Sequence, residues 1–227
     1  VARIGAGLPK GAKAVAFIFV PAWVKEPSAS LMMKLGLEGK DDNTPDYLTH
    51  RLNNEESDEV CVRIRELQNQ GALDKIKVIY APCYLDGNDG IFNIAYYDIL
   101  PALDLTIFPS YYEPWGYTPL ESVAFGVPTV TTDLSGFGQW VASDCKPGFA
   151  TSGVEVIHRS DSNYHDVVTG IASAVRALAT APAAETARIA EAAEDTAAKA
   201  MWCNFIDKYT VAYEAALKAR DKRIKRH

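Results

Sequence analysis

FPSYYEPWGYTPLESVAFGVPTV, residues 108–130, holds the residues whose order decides the reading of this chain. Just before it, Leu105-Thr106-Ile107-Phe108 is an apolar run stopped by Pro109, the pattern of a short buried strand. Glu113 and Glu121 follow, eight positions apart, with Gly116 between them. Thr118-Pro119-Leu120-Glu121 has the form of a capping box with proline at the first helical position. A helix from Pro119 to Phe125 is therefore predicted, with Gly116 and Tyr117 in a tight turn ahead of it. Gly126 ends that helix, Pro128 opens the next segment, and Thr129-Val130-Thr131 reads as a strand. Unpaired amides at a helix start, aimed out of the strand ends, make a ready site for a pyrophosphate.

Working outward, strand and helix patterns alternate. Upstream, Ala14 to Val20 is a continuous apolar run ended by Pro21, as expected for a strand buried on both faces. Gly39 to Pro45 reads as a polar surface excursion. Val60, Ile64 and Leu67 repeat at helical spacing before Gly71, and Lys77 to Tyr80 forms a strand ended by Pro82. A short helix is predicted over Tyr96 to Leu103, and another after Ser135. This alternation implies an α/β fold, a Rossmann-like parallel sheet with helices on both faces, whose ligands bind beyond the carboxyl ends of the strands. From residue 161 onward the chain reads as helical. Ser162 is a candidate N-cap, Pro182 to Ala200 is alanine-rich, and Trp202, Phe205, Ile206, Tyr209, Tyr213 and Leu217 form an apolar stripe. We read residues 1–227 as a single domain, with an α/β core over 1–160 and helices over 161–227.

Composition excludes several classes. Of the 227 residues 48% are hydrophobic and 23% charged, with a net charge of −6, and no basic stripe crosses the body of the chain. Nucleic acid is therefore not an expected partner. The basic residues Lys218, Arg220, Lys222, Arg223, Lys225 and Arg226 read as a solvated helix end. No apolar run reaches the roughly 18 residues a membrane span needs. The four cysteines, Cys61, Cys83, Cys145 and Cys203, lack metal-site spacing and are expected to be buried, reduced thiols of a cytoplasmic protein. The scattered histidines make a metal site unexpected.

Each part of the central segment has a structural reading of its own. Thr118 and Glu121 can be a helix cap, Glu113 a loop acid and Trp115 a core residue. Their joint order carries more. Two glutamates at this spacing after a strand resemble the retaining glycosyltransferases of the two-domain GT-B fold. The fuller string PSYYEPWGYTP, then GVP-T and Ser135-Gly136-Phe137-Gly138, resembles glycogen synthases of the animal, fungal and Bacteroides-like type. The resemblance extends from Lys77 to Trp202 and implies the carboxyl-terminal, donor-binding half of such an enzyme.

By that resemblance Glu113 contacts the donor glucose and is needed for transfer. Trp115, Gly116, Tyr117 and Thr118 match the loop whose amides hold the sugar and distal phosphate, and Glu121 binds the ribose hydroxyls. Tyr84 and Tyr96 fall among the aromatics around the uracil, although an aromatic beside a helix can equally be core. The implied donor is UDP-glucose and the acceptor an α-glucan, with no metal or other cofactor. Rivals are a GT-B enzyme using ADP-glucose or a sucrose-synthase-like acceptor, and a non-catalytic sugar-nucleotide module. Two departures matter. Ala81 replaces the family's usual histidine, and the family's Arg-x5-Lys phosphate clamp and amino-terminal acceptor domain are not in this sequence. The chain is therefore read as a carboxyl-terminal piece that does not transfer glucose alone and works with its own amino-terminal domain, in an enzyme free to be oligomeric. Arg188 and Lys199 are the basic residues of Pro182 to Ala200, so no activation by glucose-6-phosphate is expected.

Overall fold

The computed structural model describes residues 1–9 and 11–224, so Lys225 and Arg226 of the basic tail lie outside the described residues. The chain divides into two compact units, Val1–Leu103 with Ser162–Ala181, and Asp104–Asp161 with Pro182–His227.

The first unit opens with α1 (Ala2–Gly7) and β1 (Ala14–Ile18), then β2 (Val24–Pro27), α2 (Ala29–Lys34), β3 (His50–Leu52), α3 (Glu59–Asn69), β4 (Ile76–Tyr80) and α4 (Tyr96–Ile99). β1 and β4 pair in parallel, Ala14 opposite Ile76 and Ile18 opposite Tyr80. Alternate residues Ile76, Val78 and Tyr80 of β4 enter a core with Leu48, Cys61 and Ile64. The prediction that β1 is buried on both faces fails. Ala14, Ala16 and Ile18 pack on the core, whereas Val15 and Phe17 are 55% and 38% exposed. Phe17 instead stacks on Phe19, ring centroids 5.5 Å apart, with Phe92 at their edges. One face of the strand meets the core and the other carries an aromatic patch.

The polar excursion is tied down rather than free. Both Asp42 carboxylate oxygens accept backbone N–H groups of the first turn of α2, from Ala29 at 3.1 Å and Ser30 at 3.2 Å. Such an acceptor satisfies helix-start donors that would otherwise need water. The antiparallel β2–β3 pair was not legible in the sequence. α3 begins at Asp58, which accepts from the Cys61 amide, and stops before Gly71 at φ 64, as its spacing predicted.

Burial and the nearby Asp58 carboxylate push the Cys61 thiol from 9.0 up to about 12 and the Tyr80 phenol from 10.0 up to about 12. The folded state thus keeps two protons that the unfolded chain releases above pH ~9 and ~10. Stability should hold below pH 9 and fall as pH rises toward 12, by about 1.4 kcal/mol per pH unit for each group released only on unfolding. Urea midpoints at pH 8 and pH 10.5 check this; equal midpoints would contradict it. Cys145 is also buried, Cys83 is half-buried, and Cys203 is exposed, which corrects the expectation that all four thiols are buried.

The second unit holds β5 (Thr106–Ile107), α5 (Tyr117–Ala124), β6 (Thr129–Thr132), α6 (Gly136–Trp140), α7 (Phe149–Ser152) and β7 (Val154–Ile157). The strands form a parallel sheet in the order β5-β6-β7. This bears out an α/β class with parallel strands flanked by helices, although the parallel strands fall in two sheets rather than one. α6 runs on into a π-helical turn over Val141–Cys145.

Three long helices close the chain: α8 (Tyr164–Thr180), α9 (Ala183–Lys199) and α10 (Trp202–Ile224). α8 belongs to the first unit and packs on α1, while α9 packs on α5 and α7 of the second. The helix predicted after Ser162 takes Asn163 as its N-cap. The stripe on α10 is not a core face: Trp202, Tyr213 and Leu217 stay exposed, and Phe205 is the member that meets the aromatic cluster described below. None of the helices among the described residues is long and apolar enough to cross a membrane.

Candidate functional site

At the carboxyl edge of the β5-β6-β7 sheet the chain forms one loop, residues 109–116, held on several sides. β5 is shorter than predicted, yet pairing continues past it, since the Phe108 amide donates to Val130 at 2.8 Å. The Thr132 hydroxyl donates to the Ser110 carbonyl at 2.7 Å. Glu113 is fixed through both backbone groups. Its amide donates to Leu134 at 3.2 Å, and its carbonyl accepts from Gly136 at 3.0 Å. Its side chain is half-buried, with Cγ lying beside Gly116. The side chain is thus not sunk in the core, and its backbone is held on both sides.

Trp115 turns inward. Its ring meets Phe137, Trp140 and Phe205 at centroid separations of 5.8–6.1 Å. Its carbonyl accepts from Phe137 at 2.6 Å. Trp115 therefore anchors the loop through its side chain and can meet a ligand through its backbone. Gly116 follows at φ 107, ψ 75, a conformation that an L side chain rarely adopts.

The capping-box reading of Thr118 and Glu121 is overturned. α5 begins at Tyr117 with Gly116 as its N-cap and no side-chain cap. The Gly116 carbonyl already accepts from Leu120, so Thr118 lies inside the first turn. Pro119 becomes the third helical residue, where a missing N–H costs nothing because that position has no partner within the helix. The amides of Tyr117 and Thr118 are left as outward donors, as a helix start requires. Both residues are exposed, and Glu121 is half-buried one turn on.

Hydroxyls that sequence reasoning missed lock α5 to the sheet. The Thr106 Oγ1 lies 2.6 Å from Ser122 Oγ and 2.8 Å from Thr129 Oγ1, all buried. The predicted helix after Ser135 is present, and Ser135 Oγ accepts from the Gly138 amide at 3.0 Å. Also missed was Asp133, whose carboxylate accepts from the Arg159 amide at 2.9 Å and meets His158 Nδ1 at 2.5 Å. Threonines on a short strand and an acid after one carry no spacing that marks them beforehand.

Glu113, Trp115, Gly116, Tyr117, Thr118 and Glu121 thus share one unit and one loop-to-helix junction. Tyr84 and Tyr96 belong to the first unit, on the loop that leaves β4. Tyr84 is 77% exposed, and Tyr96, at the start of α4, donates its amide to Leu85 at 2.9 Å. Nearby, ligand atoms of His50, Cys83 and Asp89 lie within 4.8 Å of one another. His50 and Asp89 are engaged otherwise, and Cys83 is held as a thiol. His50 Nε2 meets the Asp89 carbonyl at 2.7 Å, the Asp89 carboxylate accepts from Ile91, Phe92 and Asn93, and burial pushes the Cys83 thiol up to about 11.

The glycogen synthase family model matches residues 23–222, which takes in both units and the whole junction. The chain belongs to the glycogen synthase family. Among reviewed relatives, glycogen [starch] synthase isoform 2 of Saccharomyces cerevisiae is 36% identical over 118 residues, 50% of this chain and 17% of that protein. The liver glycogen [starch] synthase of Mus musculus is 41% identical over 99 residues, 43% of this chain and 14% of that protein. The matched stretch is thus under one fifth of the length of these relatives. Among solved structures, sucrose-phosphate synthase from Thermosynechococcus elongatus aligns with 96% of this chain and 49% of its own, at 17% identity and TM-score 0.46. The lipopolysaccharide glycosyltransferase WaaG aligns with 92% of this chain and 48% of its own, at 15% identity and TM-score 0.44.

Family membership gives the loop-to-helix junction a context. Within the matched residues, the loop ahead of α5 is held by bonds to Leu134, Gly136, Phe137 and Thr132.

Proposed function

We propose that this chain is the donor-binding half of a retaining glucosyltransferase that moves glucose from UDP-glucose to the non-reducing end of an α-1,4-glucan. The observation that carries this reading is the junction at Gly116. There Glu113, held through its backbone, stands beside a helix start whose first amides have no partner within the helix.

Breaking the bond between the anomeric carbon and the diphosphate oxygen leaves negative charge on the diphosphate and positive character on the sugar ring. Preorganised amide dipoles at Tyr117 and Thr118 stabilise the first. The Glu113 carboxylate holds the sugar and favours the second. Glu121 takes the ribose hydroxyls. In this reading the two glutamates serve different parts of one donor, unlike the carboxylate pair about 5 Å apart that flanks the bond in a double-displacement glycosidase. The acceptor hydroxyl attacks from the face the diphosphate leaves, its proton passing to the departing phosphate oxygen. No protein-bound metal is invoked.

The acceptor, and the amino-terminal domain that would hold it, belong to the full-length protein. The test is therefore made there, with glycogen as acceptor and UDP- or ADP-glucose as donor. Preferential turnover of UDP-glucose is expected. A clear preference for ADP-glucose would move the assignment to the ADP-dependent synthases, and sugar-nucleotide binding without transfer would make this a binding module.

A further inference from the structure

Arg159 lies two residues beyond β7 and is 7% exposed, an unusual place for a charge. Among the described residues it has no ion pair. Its Nη1 donates to the Pro109 carbonyl at 2.6 Å, and its guanidinium carbon stands 3.4 Å from the centroid of the Tyr111 ring. Its Nε is buried without an acceptor among the described residues. A buried guanidinium lacking a carboxylate costs stability, and an apolar side chain of similar length would fill the strand end at less expense. What Arg159 gains in exchange is confined to two residues, Pro109 and Tyr111, both on the chain that leads to Glu113.

The remaining contacts at this corner lead to the same loop. Asp133, at the end of β6, accepts the Arg159 amide, and Thr132 beside it donates to Ser110. Residues 109–111 are thus gripped by the guanidinium and the Thr132 hydroxyl, while Glu113 and Trp115 are gripped by Gly136 and Phe137. The first grip sets where the chain enters the loop, and the second sets where it leaves.

We propose that Arg159 is a positioning residue of the donor reaction, fixing the path of residues 109–113 and through it the Glu113 carboxylate. The inference rests on the transferase reading. It assigns Arg159 no contact with the donor, because Tyr111 covers the guanidinium.

The test uses the full-length protein and its Arg159→Met, Arg159→Lys and Tyr111→Leu variants. Arg159→Met is expected to lower kcat by about 10²-fold, the loss that goes with a displacement near 1 Å of a reacting group. The KM for UDP-glucose should change only a few-fold, because the amides of the Gly116 turn are held by other contacts. Arg159→Lys can still reach Pro109 but cannot stack flat on Tyr111, so it should recover roughly tenfold of that loss. Tyr111→Leu removes the stacking from the exposed side and should lower kcat by roughly tenfold. That variant leaves the buried charge in place and keeps the test open if Arg159→Met does not fold.

Amide hydrogen exchange over residues 110–117 supplies a readout independent of turnover. Faster exchange there in Arg159→Met and Tyr111→Leu, with β6 and α6 unchanged, supports the inference. Wild-type kcat and exchange in the folded variants would overturn it. So would a loss shared equally by kcat, KM and thermal midpoint, or a lysine variant no better than methionine. If the wild-type protein transfers no glucose, the transferase reading fails while the exchange measurement still decides whether Arg159 orders the loop.

Discussion

Glu113→Gln in the full-length protein is expected to lower glucosyl transfer by about 10²- to 10³-fold, the loss typical of removing one preorganised electrostatic group. UDP should still bind within a few-fold of the wild-type affinity. The side chain stands over Gly116 on a backbone bonded at both its amide and its carbonyl, so glutamine should occupy the same place. Hydrogen bonds to sugar hydroxyls would survive in part, while the negative charge beside the developing oxocarbenium character would be lost. The loss should therefore fall on kcat, with KM little changed, as for an interaction made chiefly in the transition state. Initial rates at saturating UDP-glucose, set beside UDP binding by calorimetry, decide the matter. Turnover near the wild-type rate would leave Glu113 a loop acid and remove the central support of the proposed function.

Gly136→Ala should have a large structural effect. A methyl group there would sit 2.3 Å from the Pro114 carbonyl oxygen and 3.1 Å from the Trp115 Cα. Retreat is blocked, because the Gly136 amide donates to Glu113 at 3.0 Å and Ser135 is already committed as the N-cap of α6. Both obstructing atoms are backbone, so no side-chain rotation relieves the contact. We expect a cost of about 3 kcal/mol, the upper part of the range for overpacking, borne by the second unit. Chemical denaturation read through the Trp115–Trp140 cluster measures it. A midpoint equal to that of the wild type would show that the Glu113 loop can shift away, which would also weaken the case that it is preorganised.

The site was partly legible from the letters. Glu113, Gly116 and Glu121 were picked out by their order after a strand, and the structure places them at one junction. Ser135 as a helix start and the strands at Ile76–Tyr80 and Thr129–Thr132 also followed from local patterns, because capping chemistry and apolar runs act over a few residues. The capping box failed because its letters carry no information about where the preceding turn ends. Gly116 could take a left-handed conformation and start the helix two residues sooner than Thr118 would have. Trp115 had two readings in the sequence, core and ligand loop. The structure gives its ring to the core, which still allows its backbone the other role.

On its own, the sequence determined the α/β class, the positions of most strands and helices, and the stretch around which a function could be argued. Each of these depends on neighbours along the chain. Tertiary structure alone decided that β1 exposes one face, that the α10 stripe stays largely uncovered, and that Arg159 reaches back fifty residues to Pro109. Burial and long-range hydrogen bonds join residues far apart in the chain. A buried guanidinium and a solvent-exposed one are spelled alike until the fold puts a carbonyl and an aromatic ring against one of them.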